Sequence, residues 1–272
     1  MSESEPHDHE LPGYNWSLKK LRRWVKQVYQ CEVSRTTLRT ILKQADLSWK
    51  KCQKVLKKAN RTKRAEYIKQ FQTLFQQVCD EKVRLLYVDE AHFHRDMDLG
   101  FTWATKGGYP LGAAWRLSEC PPLADRINWY GAYDFTCGQG FLWHEGGCNS
   151  ENSIQFLQHL ARWLGPLSVP VVIIWDGAPW HRAQIVQQAA ADLGFTLAPL
   201  PGYSPDLNPI EGLWKWMREE VTQNHCYKTM RELFDACIDF LARINANPLQ
   251  LISRLWPKFE LDPEFEKLLI SN

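Results

Sequence analysis

Pro170-Val-Val-Ile-Ile-Trp-Asp-Gly177 contains five consecutive apolar residues, which are followed by an acid and a glycine. Continuous apolar runs of this length are typical of strands that are buried on both faces. Periodic apolar residues on either side predict helices over 150–164 and about 181–193, and a short strand over 196–199 follows. Strands that alternate with helices indicate an α/β domain.

A second strand of the same kind lies upstream, Val83-Arg-Leu-Leu-Tyr-Val88, and is predicted to end at Asp89-Glu90. Residues 100–105 and 127–143 have β-type runs near glycines, which predict antiparallel strands and hairpins. The antiparallel strands come before the alternating ones, so the sequence predicts a mixed sheet.

Composition excludes several classes of protein. Apolar residues make up 44% of the 272 residues and aromatic residues 12%, which is too many for a disordered chain. The longest apolar run is Val169–Trp175, far short of the roughly 20 residues that span a bilayer, and the polar N-terminus is unlike a secretory signal. We therefore expect a cytoplasmic protein without a membrane partner. The cysteines show no CxxC spacing, which argues against a zinc ribbon.

Charge is distributed unevenly along the chain. Residues 18–64 contain 16 Lys or Arg and only two acidic residues, whereas residues 65–272 contain 17 Lys or Arg and 25 acidic residues. A segment with this excess of positive charge attracts polyanions. The basic segment therefore indicates a nucleic-acid-binding region, and the alternative is a solvated helical surface.

The basic segment has the pattern of two short helices. One is predicted over 16–29 with Ser17 as its cap, and the other runs from the cap Ser34 through Gln44. This pattern predicts an all-α helix-turn-helix domain over 16–49, although an ordinary helical hairpin has the same pattern. Residues 1–15 are interpreted as an acidic flexible leader, and 50–64 as a basic linker that follows phosphates. The candidate DNA-contacting residues are Arg35, Thr36, Thr37, Arg39 and Lys43 on the second helix, and Lys50, Lys51, Lys54, Lys57 and Lys58 in the linker.

Three carboxylates occupy positions where they can converge. Asp89 and Asp176 follow buried strands, and Glu211 lies in the first turn of a helix predicted from Asn208. Carboxylates that converge in this way repel each other unless cations lie between them, as in sites that use two Mg²⁺ ions for phosphoryl transfer. Each acid also has a structural explanation: Asp176-Gly177 as a turn, Asp89 as a solvated strand end, and Glu211 as part of a capping box with Asn208.

Three blocks of sequence resemble a known family. Tyr87-Val-Asp-Glu90, Trp175-Asp-Gly-Ala-Pro-Trp-His181 and Pro201-Gly-Tyr-Ser-Pro-Asp-Leu-Asn-Pro-Ile-Glu211 are similar to the catalytic blocks of DDE-superfamily transposases, in the bacterial insertion-sequence branch related to mariner elements. The 34 residues between Asp176 and Glu211 also agree with that pattern. Trp214 and Trp216 follow the third block, where they either fill the core or stack on a base.

The resemblance implies a ribonuclease-H-like α/β catalytic domain over 65–272, with C-terminal helices. In such a domain Asp89, Asp176 and Glu211 hold two Mg²⁺ or Mn²⁺ ions, and Glu90, His181 and Asn208 support them. The implied reaction is cleavage of double-stranded DNA at terminal inverted repeats, followed by strand transfer into target DNA. The implied route is cut-and-paste, into TA targets, by a homodimer in the synaptic complex.

The sequence departs from the family pattern at its N-terminal end. Members that resemble it commonly have two helix-turn-helix units before the catalytic core, and only one precedes it here. The chain is thus interpreted as the downstream product of a split reading frame, a truncated copy or a compact variant. Two alternatives to a transposase stay open: a metal-dependent nuclease of the same fold, and a domesticated or truncated DNA-binding protein without transposition activity.

Overall fold

The computed structural model describes residues 4–12, 15–47, 61–100, 125–202 and 204–256. The chain forms two compact units, Met1–Lys54 and Val55–Asn272. The finer boundaries predicted after residues 15, 49 and 64 stay predictions. None of the helices within the described ranges combines the length and apolar character that crossing a bilayer requires.

The N-terminal unit contains the two predicted helices, α1 (Leu18–Tyr29) and α2 (Arg35–Gln44). The Ser17 and Ser34 hydroxyl oxygens accept hydrogen bonds from the backbone N–H groups three residues ahead, so both predicted caps are confirmed. Leu38 is the one buried residue of α2 among those described.

The predicted acidic leader contains a short 3₁₀-helix, Pro6–His9, and Leu11 behind it is buried. Aromatic packing connects this short helix to the residues that follow it. The His9 ring lies 5.7 Å from the ring of Trp16 and 5.4 Å from that of Trp24, so the leader packs against the start of the helical unit.

The C-terminal unit is built on a five-stranded sheet in the order β3-β2-β1-β4-β5. Strand β1 pairs antiparallel with β2 and parallel with β4, so the predicted mixed α/β sheet is confirmed. Its strands are β1 (Arg84–His94), β2 (Arg126–Asp134), β3 (Gln139–His144), β4 (Val171–Trp175) and β5 (Phe195–Pro199). Its α-helices within the described ranges are α3 (Arg61–Cys79), α4 (Ser150–Leu164), α5 (Gln184–Asp192), α6 (Ile210–Met217), α7 (Met230–Asn245) and α8 (Pro248–Leu255).

Each face of the sheet has its own apolar core. Side chains of α3, α6, α7 and α8 pack on the face that includes Tyr87 and Ile174, which we call the first face. Side chains of α4 and α5 pack on the opposite face, which includes Val88 and Trp175 and which we call the second face. Neighbouring residues of a strand thus belong to different cores, as the alternation of a strand requires.

The predicted end of the first strand is wrong. Strand β1 does not end at Val88 but continues to His94, because its pairing with β2 extends as far as Arg126. Helix α3 begins at Arg61, inside the predicted linker, and the buried Arg64 side chain forms two hydrogen bonds with the Asp206 carboxylate, one of them 3.0 Å long. The predicted strand at 101–105 and linker residues 50–60 lie outside the described residues.

Candidate active site

The pairing of β1 with β4 places Asp89 beside Asp176. Tyr87 is the partner of Ile174 in the parallel ladder. Asp89 and Asp176 each lie two residues beyond this pair, and neighbouring strands are about 4.8 Å apart. The two predicted strands therefore are neighbours, as the convergence of the acids requires, although Asp89 lies within its strand and not at its end.

Glu211 approaches Asp89 from helix α6, which packs on the first face of the sheet. Burial raises the pKa of Asp89 well above its usual value, and the negative charges of Glu211 and Glu90 raise it further. Burial also raises the pKa of Glu211, and the positive charge of Arg218 opposes that rise. The structure therefore brings two of the predicted acids into mutual repulsion, which is the electrostatic situation that a cation relieves.

Asp89 also has a neutral partner that sequence reasoning did not assign. The buried Trp214 indole donates a hydrogen bond from Nε1 to Oδ2 of Asp89, 3.1 Å away. Trp214 lies three residues after Glu211, and residues at this spacing share a face of a helix. That spacing was the signal in the sequence from which the contact with the site could have been inferred.

Asp176 is held by His181. The His181 ring is buried, and its Nδ1 lies 2.6 Å from Oδ1 of Asp176 while its Nε2 lies 2.8 Å from Oε1 of Glu90. Burial lowers the pKa of His181, but hydrogen bonds to the two carboxylates raise it to about 9 overall. The ring stacks on Trp175 with 3.8 Å between ring centroids. His181 thus links the loop after β4 to the middle of β1.

Asn208 does not cap helix α6, which has no side-chain cap among the described residues. The buried Asn208 amide instead donates from Nδ2 to the carbonyl oxygen of Val88, 3.3 Å away, and its Oδ1 has no partner in the described part of the chain. The capping-box explanation for Glu211 is therefore wrong. For Asp176 the turn explanation is correct in part, since its Oδ1 accepts a hydrogen bond from the Ala178 N–H, 3.1 Å away.

Within the described ranges, no three His, Cys, Asp or Glu side chains gather closely enough to enclose an ion. Asp176 is turned toward His181, whereas Asp89 and Glu211 repel each other. Three carboxylates nevertheless form an all-oxygen donor set, which suits a hard divalent cation such as Mg²⁺. The residue chemistry therefore fits such a cation.

The five DNA-contacting residues that were predicted on the second helix lie on α2 and are exposed. Arg35, Thr36 and Arg39 line a depression of about 340 Å³ together with Leu18 and Lys19 of α1. The side chain of Thr37 is 2.8 Å from the Ser34 hydroxyl at the helix cap. The five predicted linker lysines, Lys50, Lys51, Lys54, Lys57 and Lys58, lie outside the described residues.

Comparison with family models gives two matches. Residues 84–234 match the model described as DDE superfamily endonuclease, and this range contains all three acids. Residues 12–71 match the model described as winged helix-turn helix. Among curated proteins, the chain is 22% identical over 246 residues to the "Insertion element IS630 uncharacterized 39 kDa protein" of Shigella sonnei. The aligned region covers 89% of this chain and 68% of that protein.

Solved structures with a similar fold include complexes of the Mos1 transposase. The match to the Mos1 strand transfer complex has a TM-score of 0.59 at 16% identity, and it covers 92% of this chain and 81% of the Mos1 chain. The Mos1 mariner paired-end complex with Mn has a TM-score of 0.58 at 17% identity, and covers 93% of this chain and 82% of that one. With the mixed sheet and its flanking helices, these likenesses confirm the predicted ribonuclease-H-like α/β fold.

Proposed function

Because the chain belongs to the DDE superfamily endonucleases, we propose that it is a DNA transposase with Asp89, Asp176 and Glu211 as its catalytic carboxylates. The observation that carries the proposal is the position of these acids. Asp89 lies on β1 and Asp176 directly follows the parallel neighbouring strand β4, while Glu211 approaches Asp89 from a helix whose start does not use Glu211 as a cap.

The carboxylates would hold two Mg²⁺ or Mn²⁺ ions. Solved structures of the Mos1 catalytic domain are described with Mg and with Mn, which supports this choice of cation. When bound, such ions activate an attacking water or 3′-hydroxyl and stabilise the leaving oxygen. The same in-line displacement then serves hydrolysis and strand transfer, so one site is sufficient for both.

The other side chains of the site orient the acids. His181 holds Oδ1 of Asp176, and Glu90 fixes the far side of the same ring. Asn208 ties the start of α6 to the Val88 carbonyl, one residue before Asp89. The two segments that bear Asp176 and Glu211 are therefore each joined to β1 by a buried polar side chain, which restricts how far the acids can separate.

The N-terminal unit would bind the DNA. Its winged helix-turn-helix match and the exposed row of Arg and Thr on α2 support recognition of terminal inverted repeats. Mos1 forms a strand transfer complex and paired-end complexes. By analogy we propose a homodimer that pairs two ends, cuts and pastes the element, and inserts it at TA dinucleotides.

The test is incubation of the purified chain with labelled DNA that carries the flanking ends of its gene, in Mg²⁺ and then in Mn²⁺. Metal-dependent cuts at the ends together with joined products are expected. Cleavage without joined products would indicate the nuclease alternative, and end-specific binding without cleavage would indicate a DNA-binding protein only.

Two variants connect the activity to the acids. Glu211→Gln keeps the size of the side chain but removes its charge, so cleavage should be lost while DNA binding is retained. Glu151→Gln is the matched control, because Glu151 also lies in the first turn of a helix but on α4. Normal cleavage by Glu211→Gln would remove that residue from the site.

A further inference from the structure

Trp214 is buried between helix α6 and strands β1 and β2. Its side chain is 1% exposed, and its ring packs on Phe93 with 6.2 Å between centroids. Its one polar atom, Nε1, is directed at Oδ2 of Asp89, 3.1 Å away. A buried indole whose only donor meets a partly buried carboxylate fixes both the distance and the direction of that carboxylate oxygen.

The glycine opposite Asp89 makes room for this indole. Gly131 of β2 is the cross-strand partner of Asp89. A Cβ atom at Gly131 would lie 2.4 Å from Cη2 and 2.6 Å from Cζ2 of Trp214, closer than any unstrained contact. The ring therefore lies directly against the backbone of β2, and any side chain there would push the indole out of position.

We propose that Trp214 is a positioning residue that holds the Asp89 carboxylate in the orientation that binds the divalent cation, and that Gly131 provides the space for its ring. The inference rests on the proposed function, because it takes Asp89 to be a metal ligand. Hydrogen-bonding partners of a metal ligand typically change metal affinity about 10- to 100-fold when they are removed.

The neighbouring tryptophan is a matched control. Trp216 lies on the same helix, is 2% exposed, and also donates its Nε1 hydrogen to a carboxylate, that of Glu220. Glu220 belongs to the π-helical turn Arg218–Thr222 and is bound by Arg243, and it is not one of the proposed metal ligands. The two tryptophans thus differ in which carboxylate they orient.

The experiment compares Trp214→Phe with Trp216→Phe in the full chain. Phenylalanine keeps an aromatic ring but removes the N–H donor. Mn²⁺ binding without DNA is measured by calorimetry, and the Mg²⁺ concentration for half-maximal DNA cleavage is measured alongside the melting temperature. Trp214→Phe should raise the Mn²⁺ dissociation constant and the Mg²⁺ midpoint about 10-fold or more. Trp216→Phe should change both by less than about twofold, although both variants replace the indole with a smaller phenyl ring and lose a side-chain hydrogen bond.

If Trp214→Phe does not fold, Gly131→Ala is measured in its place, since it displaces the indole while keeping it in the chain. A folded variant of either kind with wild-type Mn²⁺ affinity would overturn the proposal. An equal loss of affinity in Trp216→Phe would overturn it as well, because the effect would then be one of general packing. A wild-type chain that binds no Mn²⁺ and cuts no DNA would instead contradict the proposed function.

Discussion

Replacing His181 with alanine tests the buried link between the loop after β4 and strand β1. The Glu90 side chain is 9% exposed and that of Asp176 is 50% exposed, so the two carboxylates on the ring differ in solvent access. His181→Ala would leave Glu90 buried without its partner, whereas water can replace the ring at Asp176. The loss of stability should therefore come mainly through Glu90.

The magnitude follows from the pKa of the ring. In the folded chain the pKa of His181 is raised from 6.5 to about 9. At 1.36 kcal/mol for each pKa unit, this rise corresponds to about 3 kcal/mol. Removal of one partner of a buried ion pair costs about 3–5 kcal/mol, which is the same range. We therefore expect His181→Ala to lower the free energy of unfolding by about 3 kcal/mol at pH 6.

The sign of the pH dependence is fixed, because the folded pKa lies above the unfolded one. The stabilisation is complete below about pH 6.5 and is lost as the pH rises through about 9. Urea unfolding followed by tryptophan fluorescence, in EDTA at pH 6 and at pH 10, measures it for the wild type and for His181→Ala. The difference between the two should shrink markedly at the higher pH.

A double-mutant cycle separates the two carboxylates that contact the ring. Coupling of His181 to Glu90, measured with Glu90→Gln, should exceed its coupling to Asp176, measured with Asp176→Asn. A loss below about 1 kcal/mol at pH 6 would refute the reasoning, since single exposed pairs already reach that value. A larger coupling with Asp176 would refute it too.

Three other variants test the fold and the DNA-binding surface. Gly138→Ala should lower the free energy of unfolding, measured in urea, by about 1–3 kcal/mol, because Gly138 has a φ of +69° and a Cβ there would lie 2.7 Å from Ile252. The control is Gly147→Ala, where a Cβ meets open space, and it should lower the free energy of unfolding by less than about 0.5 kcal/mol. Thr229→Ala removes the capping box of α7 and should lower the free energy of unfolding by about 1 kcal/mol. An unchanged urea midpoint would contradict this expectation. If Arg39 contacts a phosphate, Arg39→Ala should reduce the slope of the logarithm of the DNA-binding constant against the logarithm of the salt concentration by about one. Fluorescence anisotropy measures this slope, and an unchanged slope would exclude the contact.

Local patterns in the sequence predicted local structure well. Helix α4 has the predicted bounds, Ser150–Leu164, because its apolar positions are periodic and the residues around it break the pattern. Strand β1 was predicted too short, because its apolar run ends at Val88 while its pairing does not. Continuation to His94 depends on β2, about forty residues away in the chain, and no local pattern contains that information.

The same distinction between local patterns and long-range contacts applies to the candidate site. The three acids could be chosen from strand ends, a helix start and the resemblance to known catalytic blocks. Glu90, His181 and Asn208 could also be named as supporting residues. The atoms that each one contacts could not be predicted, because the Trp214–Asp89 and His181–Glu90 hydrogen bonds join residues 125 and 91 positions apart. The structural alternative for Glu211, a capping box with Asn208, is absent although the local pattern matches it well. The Asn208 side chain donates its hydrogen bond to the Val88 carbonyl of β1, a contact that the local pattern does not contain.

The two neighbouring acids are supported from opposite faces of the sheet. Asp89 receives its hydrogen bond from Trp214, which belongs to the core on the first face. Asp176 is held by His181, whose ring stacks on Trp175 of the second-face core. A change in the packing of one core should therefore displace one acid and leave the other in place. Because a cation bound between both acids requires the two to be correct at once, metal affinity would report on the packing of both cores, although neither core contains a metal ligand.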